Sequence, residues 1–443
     1  MWLPNAVYMN WSKVLRRPEI LRYMKNSLWM LSEYGMKVVS AIFVTIYVAR
    51  YLGPEQFGVL SYALAIVAVF MALSRLGMES ILVRDLALFP ERRQAFMSTA
   101  FTLMVMASFV SFVLLSGLVL LLEESYENRI YIFVISMGII FQAFSVVEYN
   151  FQSQVKAKYS SIAKSLSLVV SAATKILLVW LEAGLIFFAA SYLLDFVVTA
   201  AILLAMNFKK SQPNFFCGYD SSLLRPLLKS AWPMMLSAIS VSLYSRIDQI
   251  MLKSMVGLHE LGVYAAAIKV FEGWMIVPYV ISISLLPAIV RFKAAESKSY
   301  EKNMAILFAF LFWSSALVAL FFSFFGEFVI SMTFGSKYLD SASILVVVMW
   351  SATFAALGSI TARYLTVEGM ESKILSRTLV GLIVNVLLNL VLIPVYGVQG
   401  AAISTMVTLF VANYLINYFD RDLKQLVSIC NRSLTLGLVR NEK

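Results

Sequence analysis

Residues 96–122 read FMSTAFTLMVMASFVSFVLLSGLVLLL, with no charged side chain from Phe96 to Leu122. A bilayer core of roughly 30 Å needs about twenty such residues wound as a helix. The run is continuous, whereas a barrel strand would alternate apolar and polar positions. In hydrocarbon, only helices and closed barrels satisfy their own backbone. The stretch therefore reads as a membrane-crossing helix.

Similar runs recur along the chain. Hydropathy against the same length rule predicts about twelve spans, over 28–49, 57–74, 96–122, 130–147, 162–181, 184–206, 231–252, 263–290, 304–325, 341–362, 374–393 and 398–418. The span at 263–290 is long enough to tilt, or to bend at Pro278 and Pro287. Composition agrees: the 443 residues are 60% hydrophobic and only 14% charged, while soluble domains carry about a quarter charged residues. The segment from Met1 to Lys25 is basic and amphipathic, and does not read as a cleaved signal.

The net charge of +11 is distributed by topology, so nucleic acid is not the expected partner. Lys13, Arg16, Arg17, Arg22 and Lys25 precede the first span. Arg75, Arg84, Arg92 and Arg93 fill the connection after the second. Alternate connections continue with Lys156 and Lys158, then Lys209, Lys210, Arg225 and Lys229, then Arg291, Lys293, Lys298 and Lys302, then Arg363 and Lys373. Arg421, Lys424, Arg432, Arg440 and Lys443 end the chain. The connections between these are short and poor in cations, and one, from Glu123 to Glu127, is acidic. This positive-inside alternation predicts an even span count with both termini cytoplasmic. Attraction to anionic membrane lipid is a secondary consequence.

Cys217 and Cys430 fall in predicted cytoplasmic segments, where a disulfide is not expected. The single histidine, His259, cannot form a cluster, and no spacing suggests a metal site. No cofactor or nucleotide motif is visible. The longest connection, from about Asn207 to Ser230, is too short for an appended ATPase or glycosyltransferase domain.

That connection separates six spans from six. Across it, Leu52-Gly53-Pro54-Glu55-Gln56-Phe57-Gly58-Val59 matches Val256-Gly257-Leu258-His259-Glu260-Leu261-Gly262-Val263. Lys164, Gly184, Ala189 and Ser191 match Arg377, Gly397, Ala402 and Ser404 at constant offset. Halves with an even number of spans share one orientation, so they are parallel repeats about the membrane normal. The expected fold is an all-α membrane protein, with two pseudo-symmetric six-helix lobes around a central cavity. The predicted divisions are a basic N-terminal segment (1–27), one lobe (28–206), a cytoplasmic linker (207–230), a second lobe (231–418) and a cytoplasmic tail (419–443). A cleft between parallel bundles is transporter architecture.

Ionisable residues inside spans cost several kcal/mol and mark partners or pathways. Glu33 and Lys37 lie one turn apart, either as a self-neutralising pair or with Lys37 facing the cavity. Lys164 is near enough to the cytoplasmic end to snorkel. Lys175 lies deeper, with Asp195 as its natural partner. Ser237, Ser240, Tyr244 and Asp248 form a polar stripe. Arg246 and Asp248 need separate partners, and Lys269 and Glu272 are i,i+3 neighbours. Arg377 reads as interfacial, and Asn385 with Asn389 as a polar helix–helix contact. The candidate substrate-binding cations are Lys37, Lys175, Arg246 and Lys269. Glu33, Asp195, Asp248 and Glu272 are the candidate ion-coupling residues or charge partners.

The segments Ala49 to Gly58, Leu76-Gly77-Met78 through Arg84 to Ala87, Asp248-Gln249 through Leu261 to Ala267, and Asn389-Leu390 through Pro394 to Ser404 occur in this order. Together they resemble the polysaccharide transport branch, the O-antigen and other repeat-unit flippases, of the multidrug/oligosaccharidyl-lipid/polysaccharide exporter superfamily. The resemblance implies translocation of an undecaprenyl-diphosphate-linked oligosaccharide across the bacterial inner membrane. It also implies a two-lobed fold around an often cationic cavity, and partners among polysaccharide polymerase or assembly proteins. An H+ or Na+ gradient is the expected drive, since no nucleotide site is visible. Rival expectations are a drug/cation antiporter or peptidoglycan-precursor flippase of the same superfamily, or a membrane glycan polymerase or ligase.

Overall fold

A computed structural model describes residues 18–285, 289–290, 293, 297–370 and 372–434. The amphipathic stretch before Pro18, the bend at Pro287, and Arg291, Arg440 and Lys443 lie outside the described residues.

Every regular element among the described residues is a helix. α1 (Pro18–Ser74) carries the first two spans. Gly53, at φ 74° and ψ 170°, breaks it into two limbs, a conformation that a side chain would strain. Pro54 then starts the second limb, where its missing N–H costs nothing. α2 (Met78–Leu88) is a short helix inside the expected second connection, and α3 (Arg93–Leu122) is the third span. The fourth span is broken: α4 (Tyr126–Ser136) passes through a 3₁₀ stretch, Met137–Phe144, into α5 (Ser145–Ser153). α6 (Ala157–Trp180) and α7 (Leu185–Lys209) complete the first set.

α8 (Ser221–Met255) opens the second set and takes Pro226 and Pro233 within it. α9 (Leu258–Ser284), α10 (Ser297–Thr333), α11 (Ser341–Glu368), α12 (Ser372–Tyr396) and α13 (Val398–Asn413) follow. Pro278 is carried inside α9. Among the described residues, ten helices are long and apolar enough to cross a membrane. Counting both limbs of α1 and adding the more polar α8 yields the expected twelve. The last helix among the described residues is α14 (Lys424–Leu434), an amphipathic helix within the expected tail. Its Leu426, Ile429 and Cys430 pack with Phe308 and Leu311 of α10 and Leu357 and Ile360 of α11.

The apolar packing divides by depth. One buried cluster joins both sets of helices at the face opposite the basic connections, called the outer face. It runs from Val48, Leu60, Leu115 and Phe188 to Leu252, Leu261, Phe334 and Leu345. Toward the basic, inner face there are two clusters. One centres on Met78, Leu82, Phe96, Val146 and Phe151, the other on Tyr300, Phe308, Leu357 and Tyr364. The lobes thus share one core outside, while inside each has its own cluster, joined by α8, whose Leu223, Leu227 and Ala231 enter the first of these. Large exposed apolar side chains such as Phe109, Leu121, Phe324 and Phe328 cover the periphery, as a bilayer-facing surface requires.

The outer weld is built on the repeat. A Cβ on Gly58 would stand 1.9 Å from the carbonyl oxygen of Leu258. A Cβ on Gly262 would stand 1.8 Å from that of Pro54. Gly58 and Gly262 are repeat equivalents, as are Pro54 and Leu258, so the contact is reciprocal. Around it, Tyr338 donates to the Ala49 carbonyl (2.8 Å), and Arg50 to that of Met332 (3.3 Å). Lys253 of α8 meets Glu123, just past α3, at 2.6 Å. Glu123 is 3% exposed and also accepts from Asn128.

Candidate functional site: a cation-bearing cavity between the lobes

Beneath the outer weld, the two sets of helices enclose connected voids. One, of about 860 Å³, lies between the second limb of α1, α2 and α8, and is lined by Lys37, Arg75, Glu79, Ser237, Ser242 and Arg246. Another, of about 530 Å³, lies between the first limb of α1 and α9, and is lined by Tyr34, Lys37, Arg246, Lys269, Glu272 and Tyr279. They share Lys37 and Arg246. Toward the inner face they are narrowed by single contacts. Tyr34 meets Tyr279 with ring centroids 5.6 Å apart, and Gly77 abuts the backbone of Met234 and Met235.

Charge in these voids follows local helix geometry. Glu272 takes two cations, Arg246 at 3.2 Å and its own-helix neighbour Lys269 at 2.7 Å. One carboxylate cannot neutralise both, so the cluster keeps a net positive charge. Lys37 has no ion pair among the described residues, because Glu33 turns away from it toward Lys164 (3.3 Å). The self-neutralising Glu33–Lys37 pair is therefore not formed. Arg75 donates to the Gln142 amide oxygen (2.9 Å), a neutral partner that leaves its charge uncancelled. Lys37, Arg75 and Glu79 of the first lobe thus face Arg246, Lys269 and Glu272 of the second across the seam.

Not every expected site residue lines this seam. Lys175, 8% exposed, is turned into the first lobe. It bonds Asp195 at 2.9 Å and Ser171 at 2.7 Å, and lies 4.0 Å from the centroid of the Tyr192 ring. Lys164 does not snorkel, being held by Glu33 and Glu148. Lys164, Glu33, Glu148 and Asp195 line a side chamber of about 380 Å³ within the first lobe, with Lys175 behind its wall, and the chamber opens onto the seam at Lys37 and Arg75.

Asp248 sits in the second lobe, 9% exposed, beside a void of about 230 Å³. Its carboxylate accepts from Tyr264 (2.9 Å), Asn389 (2.6 Å) and Thr405 (2.7 Å). All three donors are neutral, and among the described residues Asp248 has no cation partner. Asn389 also donates to Asn385 (3.1 Å), so the expected polar helix contact is present and serves the carboxylate. Arg377, expected at the interface, is buried instead and donates to the Ala412 carbonyl (2.9 Å).

Arg75, Glu79, Glu148, Glu123 and Lys253 are contributors that the sequence did not single out for the cavity or its seal. Hydropathy stops the fourth span one residue before Glu148, yet α5 carries the helix on to Ser153. Arg75 and Glu79 were masked by lying in a basic connection. The described residues hold no metal-ligating cluster, and His259 has only an exposed Glu260 nearby (3.6 Å).

Comparison with known proteins agrees with this geometry. Residues 23–293 match the sequence profile of a family described as "Polysaccharide biosynthesis protein". An uncharacterized membrane protein of Methanocaldococcus jannaschii is 24% identical over 420 residues, covering 89% of this chain and 97% of that one. A putative O-antigen transporter of Shigella flexneri is 25% identical, with 89% and 96% covered. Among solved structures, the lipid II flippase MurJ in an inward closed conformation superposes with a TM-score of 0.72, at 15% identity, over 93% of this chain and 91% of that one. At that identity, the likeness concerns the fold alone.

Proposed function

Because the chain belongs to the polysaccharide biosynthesis protein family, we propose that it is a flippase for undecaprenyl-diphosphate-linked oligosaccharides, carrying O-antigen or another surface-glycan unit across the bacterial inner membrane. It acts as a carrier and not as an enzyme. The observation that carries this reading is the cation-bearing seam around Lys37, Arg75, Arg246 and Lys269, sealed outside by a continuous core and narrowed inside by a few contacts. A diphosphate needs such charge, a glycan needs water or polar walls, and the prenyl tail stays in lipid. Uncancelled cations argue against an organic-cation drug as cargo.

Residues 28–206 and 231–418 are the two moving lobes, linked by 207–230. The termini, 1–27 and 419–443, lie in the cytoplasm. The lobes rock about the central site by alternating access. An H+ or Na+ gradient drives the cycle, and Asp248, a carboxylate with only neutral donors, supports a coupling role there. Polymerase and assembly proteins take over the product outside.

The test is deletion in a host with a defined surface glycan, complemented by the wild type, Lys37→Gln, Arg246→Gln or Asp248→Asn at matched membrane levels. The expected result is loss of polymer, with the lipid-linked unit accumulating on the inner leaflet in the deletion and in each variant. Accumulation on the outer leaflet would make the protein a polymerase or ligase instead. Full export by every variant would remove the site.

A further inference from the structure

The side chamber of the first lobe differs chemically from the seam it opens onto. Its walls come from α1, α2, the broken fourth span, α6 and α7. The 3₁₀ stretch makes it: Gly138 lets α7 approach so closely that a Cβ there would stand 2.2 Å from the Phe196 ring. That contact fixes the ring at the chamber wall, while the same stretch presents Phe141 and Gln142. Its charges balance, with Glu33, Glu79, Glu148 and Asp195 against Lys37, Arg75, Lys164 and, behind the wall, the Lys175 that pairs with Asp195. Two of the carboxylates, Glu33 and Glu148, already share Lys164. Asp195 spends one oxygen on Lys175, and its other oxygen is buried without a donor among the described residues.

A phosphate would gain no net attraction in such a space, unlike in the cationic seam. A neutral polyhydroxyl ring would meet what it needs: carboxylate and amide acceptors for its O–H groups, Thr199, and aromatic rings for its C–H faces. The volume of about 380 Å³ suits a short stretch of glycan and not a whole repeat. Arg75 stands at the threshold, facing the seam while bonded to Gln142 of the chamber.

We propose that this chamber is the glycan subsite, holding the sugar next to the diphosphate while the seam cations hold the diphosphate itself. The assignment rests on the flippase reading and divides its substrate between two differently charged spaces. Phe196 and Asp195 are then residues that determine whether the lipid must carry a sugar.

The full-length protein in nanodiscs separates the two ideas. Its affinity is measured for undecaprenyl diphosphate and for the same lipid bearing one glucose, galactose, N-acetylglucosamine or N-acetylgalactosamine. The wild type is expected to favour at least one glycosylated lipid by about tenfold, as one net hydrogen bond supplies. Phe196→Leu and Asp195→Asn should erase that preference while binding the bare lipid as the wild type does, and Arg246→Gln should weaken every lipid. Phe196→Leu leaves the Lys175 pair intact and decides the matter if Asp195→Asn does not fold. Absence of a preference in the wild type, or its survival in Phe196→Leu, overturns the subsite but leaves the flippase standing. Failure of every lipid to bind the wild type overturns both.

Discussion

Replacing Gly58 by alanine puts a methyl group where the Leu258 carbonyl oxygen already stands, 1.9 Å from the new Cβ. Ordinary contact is about 3.5 Å, so the two backbones must part by about 1.5 Å at the outer weld. The obstacle is main chain on both sides, which no rotamer change relieves. Overpacking of this kind costs about 2 kcal/mol. A state in which the lobes have separated at the outer face escapes that cost. The equilibrium between sealed and open forms should then move about 30-fold toward the open one. The readout is a cysteine at Ser242, which lines the central void, in a Cys217→Ser background. An impermeant maleimide added outside spheroplasts should label it faster in Gly58→Ala than in the parent. Gly262→Ala, 1.8 Å from the Pro54 carbonyl, should do the same. The double variant should add little, since the first methyl has already parted the backbones. Unchanged outer labelling in both single variants, at normal membrane levels, would refute the idea that this contact seals the outer face.

The same assay reads the outer ion pair. Burial pushes the Glu123 carboxyl up, but hydrogen bonds from Lys253 and Asn128 and the Lys253 charge outweigh it and hold the group below its ordinary value. A carboxyl held low strengthens the seal above its ordinary pKa of about 4.3 and loses that effect as pH falls through the lowered value. Acidifying the outside should therefore raise labelling at Ser242→Cys, and Glu123→Gln should flatten the response. Lys175→Met breaks a buried pair and should lower thermal stability by roughly 3 kcal/mol in purified protein, with Lys175→Met/Asp195→Leu recovering much of it; a greater loss in the double variant would contradict a structural role. Cys217 is exposed, whereas Cys430 is buried under α14 with its thiol pushed up to about 12. Mass spectrometry after maleimide treatment at pH 7 should find adducts at Cys217 alone, and modification of native Cys430 would mean that α14 is not docked.

The spans were legible because a bilayer core imposes one length and one polarity on every crossing. The Lys175–Asp195 and Lys269–Glu272 pairs were legible for a related reason, since mid-membrane charge must find a partner within reach. What failed was local geometry that hydropathy averages away. Glu33 prefers Lys164 over the nearer-in-sequence Lys37 because α6 passes beside α1. Glu148 and Gln142 reach their partners only because the fourth span breaks into a 3₁₀ stretch and then resumes. Arg377 lies near a helix start, where an interface was the natural expectation, yet α13 offers it the Ala412 carbonyl and buries it. Glu123 and Lys253 stand 130 positions apart, and each alone looks like an ordinary outer-face charge.

The two glycines of the repeat form a symmetric pair as well as a seal. Gly58 touches the equivalent of its own neighbour, and Gly262 returns the contact, as residues astride the two-fold axis of a homodimer do. One self-complementary patch is thereby made of two positions that can be substituted separately. Each is still answerable to a carbonyl in the other half, so a side chain acquired at either site is felt first by its twin.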